Sequence, residues 1–187
     1  ELGNQRPPTS QWTVTGAGSA ILSKTGNGPY ITHITSGKIV DMGIKDANNM
    51  GAAMAPAALD TLICHFNDTG RSPNYYDAII TGDLGHIGKD ILLELSADKG
   101  YNIKNNYNDC GLMIYGSDIK IYCGGSGCAC LPTVSYSYIY TMMKLNKYKK
   151  VLLCATGALM NPIMTLQAES IPAICHIVEW EVENDFS

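Results

Sequence analysis

Residues 75–100, YYDAIITGDLGHIGKDILLELSADKG, run from a strand through a glycine-containing loop into a helix. YYDAIITG is a continuous apolar run of the kind that is buried on both faces of a sheet. HIGKDILLELSADKG has the spacing of an amphipathic helix. Its apolar face is formed by Ile87, Ile91, Leu92 and Leu95, and its charged face by Lys89, Asp90, Glu94 and Asp98. A strand that leads into such a helix is the unit of layered α/β folds.

Further strands and a buried helix are predicted on either side of this unit. Strand patterns occupy 11–22 (QWTVTGAGSAIL), 29–40 (PYITHITSGKIV), 151–157 (VLLCATG) and 171–183 (IPAICHIVEWEVE). In the last of these, apolar residues alternate with Glu179, Glu181 and Glu183, which predicts one buried and one exposed face. The small residues of ANNMGAAMAPAALDTLICHF predict a helix packed between layers, in which Pro56 either begins a second part or makes a kink. Residues 129–145 are predicted to be helical, although tyrosines recur there at every second position. The alternation predicts an α/β layered fold.

Composition restricts the classes of function. The 187 residues are 45% apolar and 16% charged, enough for one globular domain or a large piece of one. The net charge is −4 and the arginines are Arg6 and Arg71, which argues against a nucleic-acid partner. No run approaches the roughly 20 apolar residues of a membrane span, and no signal peptide is recognised, so an intracellular location is expected. The seven cysteines are expected to be reduced, with Cys64, Cys154 and Cys175 buried.

A second glycine loop, IYCGGSGCACLP at 121–132, carries three cysteines. Their spacing lacks the second pair of ligands that a zinc site needs, and no C-x-x-C redox pair is present. Gly124, Gly125 and Gly127 allow a tight turn before a helix, where amide groups attract anions. The loop is therefore interpreted as a backbone cradle for a carboxylate or oxyanion, with Ser126 as an extra donor, or else as a tight turn without a ligand. Cys128 and Cys130 are interpreted as small packing residues at the helix start.

Polar residues follow the two buried strands. Asp83 lies at the carboxyl end of a strand, where open α/β sheets bind ligands, although a helix N-cap is an equal alternative. His86, in the first turn of the helix, is more typical of a capping or surface residue than of a base. Thr156 and Ser170 lie around the end of VLLCATG and are expected to line the same pocket. NNYNDCG at 105–111 lacks the spacing of a calcium loop and is interpreted as a turn.

Seven segments in one order resemble the C-terminal half of the thiolase-like superfamily and, within it, the stage V sporulation protein AD family. They are PPTSQWTVTGAG, ITHITSGKIVDMGIKDANNMGAAMAPAA, TGDLGHIG, NYNDCGLMIY, GGSGCAC, VLLCATGAL and ESIP. The resemblance implies a layered α/β/α fold with a mixed sheet, one half of a pseudo-duplicated structure. Residues 1–28 would end the N-terminal half and 29–187 would form the C-terminal domain. The start at Glu1 agrees with the expectation that the chain is a piece of a longer protein.

The resemblance also implies a function. In ketoacyl synthases of the superfamily, a catalytic histidine falls on Gly82 and an asparagine on Gly125; glycine supplies no acid, base or side-chain donor. A protein without catalytic residues, cofactor or metal is therefore expected, one that binds dipicolinic acid or its calcium chelate for uptake into the developing spore. The family implies a homodimer, peripheral to the inner spore membrane, with membrane proteins of the same operon as partners. The expected ligand-binding residues are Gly82, Asp83, Leu84, His86, Gly125, Ser126, Gly127, Cys128, Thr156 and Ser170.

Two other interpretations stay open at this point. One is an acyl-thioester condensing or acyl-transfer enzyme in which Cys128, at a helix N-terminus, is the nucleophile and His86 or His176 approaches it in space. The other is a structural platform for membrane partners. For the ligand hypothesis, Lys89 is the cation nearest to the loops in the sequence, so the remaining half of the fold or a calcium ion would have to balance a buried dianion.

Overall fold

The computed structural model describes residues 6–116 and 121–183. The first five residues of the predicted segment 1–28 lie outside the described residues, as do 117–120 and 184–187 of the predicted domain 29–187. In chain order the strands are β1 (Trp12–Thr13), β2 (Tyr30–Thr35), β3 (Ala78–Thr81), β4 (Tyr107–Asp109), β5 (Gly125–Ser126), β6 (Lys150–Ala158) and β7 (Ala173–Glu181). The helices are α1 (Met50–Thr69), α2 (Gly85–Asp98), α3 (Cys110–Tyr115), α4 (Cys130–Val134), α5 (Tyr140–Lys144) and α6 (Pro162–Leu166).

The described strands form one mixed five-stranded sheet and one short parallel pair. The order in the sheet is β2-β7-β6-β3-β4; β3 runs parallel to both neighbours, and β7 runs antiparallel to β6 and β2. All four residues of β3 are buried, which confirms the strand predicted to be covered on both faces. The pair consists of β1 and β5, with Trp12 opposite Gly125. The α/β class with a mixed sheet is confirmed.

Helices cover both faces of this sheet. One core contains apolar residues of α1 and α2 together with Ile79, Leu152 and Ile177 of the sheet. The other contains Val134, Ile139 and Met143, from the helical segment 130–144, packed against the opposite face. The result is the layered α/β/α arrangement expected for the fold. Because three layers bury every central strand, these strands are apolar runs rather than alternating ones.

Small residues set the distance between α1 and α2, as their sequence predicted. A Cβ atom on Gly51 of α1 would lie 2.9 Å from the Cα of Gly88 on α2, so glycine at both positions allows the two backbones to touch. Pro56 lies inside α1, which continues without interruption to Thr69. The tyrosine-rich segment is also helical: a π-helical turn, Ser135–Ile139, joins α4 to α5, and this irregular turn accompanies the strand-like spacing of its tyrosines.

Several sequence expectations differ from the structure. Of the strand predicted over residues 11–22, only Trp12–Thr13 is a strand, because only these two residues pair with β5. Cys64 is exposed, because it lies on the face of α1 that points away from the sheet, whereas Cys154 and Cys175 are buried as expected. NNYNDCG is a turn only at its start, since Tyr107–Asp109 forms the edge strand β4. Glu179 and Glu181 of β7 are 0% and 2% exposed, so the alternation in that strand does not separate a buried face from an exposed one.

Candidate ligand site at the glycine loops

Two of the predicted loops meet where β3 and β6 end side by side. Thr81 pairs with Cys154 in the parallel ladder, and the Gly82 amide donates to the Cys154 carbonyl at 3.0 Å. This register carries Asp83 to Thr156. The Thr156 hydroxyl donates to Asp83 Oδ1 at 2.8 Å and accepts from the Asp83 amide at 3.2 Å. The parallel pairing of the strands therefore joins two residues that are 73 positions apart in the sequence.

The second glycine loop completes the cluster. The Gly127 amide donates to Asp83 Oδ2 at 2.9 Å. Burial raises the pKa of Asp83, whereas hydrogen bonds from Gly127, Thr156 and Ser126 lower it. Asp83, Ser126, Gly127 and Thr156 are thus brought together, as predicted. The Gly127 amide, which was predicted to bind the anion of a ligand, is therefore already bonded to the carboxylate of Asp83 in the same chain.

Asp109, which sequence reasoning missed, holds the other side of the loop that follows β3. Its Oδ2 accepts from the Leu84 amide at 2.8 Å and from the Thr81 hydroxyl at 2.7 Å, and its Oδ1 accepts from the Leu112 amide at 3.2 Å. Asp109 is the N-cap of α3, and an aspartate directly before the apolar run CGLMIY was the signal that could have revealed it. Burial raises the pKa of Asp109 to about 6, and the charge of Asp83 adds to the rise.

The glycines at the two loops have different roles. Gly124 and Gly127 have φ angles of 110° and 106°, a backbone conformation that favours glycine. Gly125 is a packing residue, because a Cβ atom there would lie 2.8 Å from Val14 Cγ2 and 3.1 Å from the Gly111 Cα. At Gly82 an added Cβ would lie 2.9 Å from the Thr156 hydroxyl oxygen. A side chain at position 82 or 125 therefore requires neighbouring groups to shift.

Gln11 links the first segment of the chain to both loops. Its side-chain amide donates to the Asp83 carbonyl at 2.8 Å and to the Gly125 carbonyl at 3.0 Å. Sequence reasoning also missed this residue, and a lone glutamine before a strand gives no signal that could have identified it. Gln11 therefore fixes the loop of Asp83 relative to the loop of Gly125. These two loops form the candidate site.

The remaining predicted site residues do not join the cluster through their side chains. Leu84 is fully buried in the core, and Asp109 takes its amide. His86 is exposed, with its amide bonded to the Cys123 carbonyl. Ser170 donates its hydroxyl to Asp41 at 2.6 Å, so the expectation that it lines the same pocket as Thr156 is not supported by its contacts. Cys128 is exposed and is not the packing residue that was expected, because the helix buries Cys130 instead.

All seven cysteines are free thiols. Burial raises the pKa of Cys123 and raises that of Cys130 to about 12, so these two groups stay protonated at neutral pH. Within residues 6–116 and 121–183, no three or more His, Cys, Asp and Glu side chains are grouped so that they could hold a metal ion. Over the same residues, none of the helices has the length and apolar character needed to cross a membrane.

A mixed sheet between helical layers, with one glycine loop after β3 and a second around β5, is the α/β arrangement of thiolase-like proteins. The sequence model of one family, stage V sporulation protein AD, matches residues 1–181. Stage V sporulation protein AD of Bacillus subtilis (strain 168) is 45% identical over 181 residues, which are 97% of this chain and 54% of the relative. The chain belongs to the stage V sporulation protein AD family, and it spans about half the length of the curated relative that it matches.

Proposed function

We propose that this protein binds dipicolinic acid, free or as its calcium chelate, without catalysing a reaction, and serves its uptake into the developing spore. The observation that carries the proposal is the pair Gly82 and Gly125, since related condensing enzymes have a histidine and an asparagine there. Membership in a sporulation family supports the context. The proposal includes a homodimer at the periphery of the inner spore membrane, in contact with membrane proteins of the same operon.

Close packing at the two glycines supports the absence of catalysis. An imidazole at Gly82 would displace the Thr156 hydroxyl, and an amide at Gly125 would press on Val14 and Gly111. A side chain at either position would therefore need its neighbours to shift. Condensation needs a positioned acid or donor at the thioester carbonyl, and glycine at positions 82 and 125 supplies neither from a side chain.

The acyl-transfer alternative finds little support in the contacts of the thiols. Cys128 is exposed, but neither His86 nor His176 has a side-chain hydrogen bond to a cysteine among the described residues. A nucleophilic thiol needs a base within about 3 Å or a lowered pKa. The buried thiols have raised pKa values instead.

The charge of the cluster favours the calcium chelate over the free dianion. Asp83 and Asp109 are both buried near the loops, and their carboxylates repel a second anion. A chelated calcium ion neutralises dipicolinate, so it removes this repulsion. Tighter binding in the presence of calcium is therefore expected at this site.

The test is calorimetric titration of the full-length gene product with dipicolinate, with and without calcium. Thr156→Val keeps the side-chain volume nearly constant and removes the hydroxyl that donates to Asp83. Ser126→Ala removes a second hydroxyl that hydrogen-bonds the Asp83 carboxylate. Both variants are expected to weaken binding by about 5- to 50-fold. Ser170→Ala, at a serine that contacts Asp41 rather than the cluster, is the matched control.

Saturable binding that only the two cluster variants weaken supports the proposal. If a sample with native circular dichroism and a cooperative unfolding transition binds nothing under either condition, dipicolinate is not the ligand. The platform function would then be the better account.

A further inference from the structure

A cavity of about 460 Å³ opens next to the candidate site and shares one residue with it. That residue is Gln11, whose amide bonds the Asp83 and Gly125 carbonyls while its side chain also lines the cavity. Arg6, Ser10 and Trp12 line the same cavity. The size is in the range of small-molecule sites. The strand β1, which contains Trp12, is hydrogen-bonded directly to the glycine loop, because the Trp12 amide donates to the Gly124 carbonyl at 2.9 Å.

Arg6 brings a positive charge to this cavity. Its guanidinium carbon lies over the Trp12 indole, 4.6 Å from the ring centroid. Arg6 has no salt bridge to a carboxylate of the described chain, whereas Arg71, the other arginine, pairs with Glu179 and Glu181. The guanidinium therefore keeps its donors for an anion, and a planar guanidinium binds carboxylates through two parallel hydrogen bonds.

Ser10 adds a polar group without a partner. Its hydroxyl oxygen is buried and has no hydrogen-bond partner in the described part of the chain. A buried hydroxyl without a partner costs free energy, and a ligand oxygen could remove that cost. Trp12 is 40% exposed, so part of its indole is open to a flat partner. A cation, a hydroxyl and an aromatic surface are the groups that recognise a planar aromatic carboxylate.

We infer that this cavity anchors one carboxylate of a planar aromatic acid, with Arg6 pairing with the carboxylate, Ser10 donating to it and the Trp12 indole packing on the ring. The inference rests on the proposed function. It assigns to Arg6 the positive charge that a dianionic ligand needs. The cavity adjoins the cluster at Gln11, whereas the Gly127 amide is already bonded to Asp83.

The test uses Trp12 as the reporter. In a Trp180→Phe background Trp12 is the sole tryptophan of these 187 residues, and its emission is followed as dipicolinate is added to the full-length protein. Arg6→Gln is expected to raise the dissociation constant by about 10- to 100-fold. In calorimetry with Trp180 in place, Trp12→Leu is expected to raise it by about 3- to 10-fold. Lys104→Gln, with the same change of charge at a separate cavity, is the matched control and should bind as before.

The outcomes separate this inference from the proposed function. Loss of affinity in Arg6→Gln and Trp12→Leu, with Lys104→Gln unchanged, supports the cavity. Binding that both variants retain within about twofold overturns the cavity while dipicolinate binding stands. Absence of binding by the unsubstituted protein, with and without calcium, overturns both. Inorganic phosphate that competes as well as dipicolinate would show that only charge is recognised and would overturn the aromatic class of ligand.

Discussion

The carboxylate of Asp83 accepts a hydrogen bond from the Gly127 amide at 2.9 Å, so the loop predicted to bind an external anion already holds one from its own chain. The same carboxylate accepts from the Thr156 hydroxyl at 2.8 Å. These two hydrogen bonds join the loop that follows β3 to the second glycine loop and to β6.

The contact between Gly82 and Thr156 can be tested with a double-mutant cycle. Gly82→Ala places a Cβ atom 2.9 Å from the Thr156 hydroxyl oxygen and should lower the free energy of unfolding by about 1–3 kcal/mol, as overpacking does. Thr156→Ala removes that oxygen and a bond to Asp83. The double variant should therefore lose less than the sum of the two single losses, by about 0.5 kcal/mol or more, in urea denaturation. Strict additivity would contradict the proposed clash.

The glycines at 111, 125 and 157 should tolerate alanine very differently. A Cβ atom on Gly111 would overlap the backbone carbonyl of Gly125, which can yield only if the chain moves, so a loss of about 3 kcal/mol is expected. On Gly125 it would press mainly on a Val14 methyl group, for about 1–2 kcal/mol. Gly157→Ala is the control, because its nearest neighbour would be 3.9 Å away. Equal midpoints in urea for the three variants would refute this ranking.

The sequence was sufficient to predict the layers and most of the elements. The apolar run at β3, the small-residue helix packed between layers at α1, and the meeting of Asp83 with Thr156 follow from patterns that depend on few residues. Such patterns act locally or through the register of neighbouring strands. They predict which strand ends meet, and so they predicted half of the candidate site.

What escaped prediction depends on long-range contacts. The alternation in β7 predicted that Glu179 and Glu181 lie on an exposed face. They are buried instead, and the positive charge of Arg71 balances their negative charges. Gln11 acts through its contacts with loops that are 72 and 114 positions away. The Asp83 carboxylate bonds the Gly127 amide across 44 positions of the sequence, and no local pattern predicts that contact.

Asp109 should make stability depend on pH in the acid range. Burial raises its pKa in the folded protein from 3.8 to about 6, so the folded state takes up this proton before the unfolded chain does. The contribution of Asp109 to stability therefore increases as the pH falls from about 6 to about 4, and the penalty above pH 6 is on the order of 3 kcal/mol. Asp109→Asn does not titrate. Urea denaturation measures the free energy of unfolding of this variant and of the unsubstituted protein at each pH. Relative to the unsubstituted protein, the variant should be most stable above pH 6. Parallel pH profiles of the two proteins would contradict this.

His65 should act in the opposite direction over the same range. It is fully buried, and burial, with a contribution from Arg71, lowers its pKa from 6.5 to about 4. The unfolded chain then binds the proton first, so stability from this group is present above about pH 6.5 and is lost as the pH falls toward 4. His65→Gln should be less destabilised relative to the unsubstituted protein at pH 4.5 than at pH 7. His86→Gln, at an exposed histidine, is the control, and an equal difference at both pH values would contradict the prediction.

Glu179 should be among the costliest charges to remove. It is fully buried, pairs with Arg71, accepts from the Tyr76 hydroxyl at 3.1 Å and lies 3.1 Å from His65 Nε2. Glu179→Gln leaves the Arg71 guanidinium with only part of its compensating charge, so a loss of about 3–5 kcal/mol is expected in urea denaturation. Lys38→Met, which removes one partner of a surface pair, should cost far less than Glu179→Gln because solvent screens that charge. Similar losses in the two variants would mean that burial adds nothing to the strength of the Glu179 cluster.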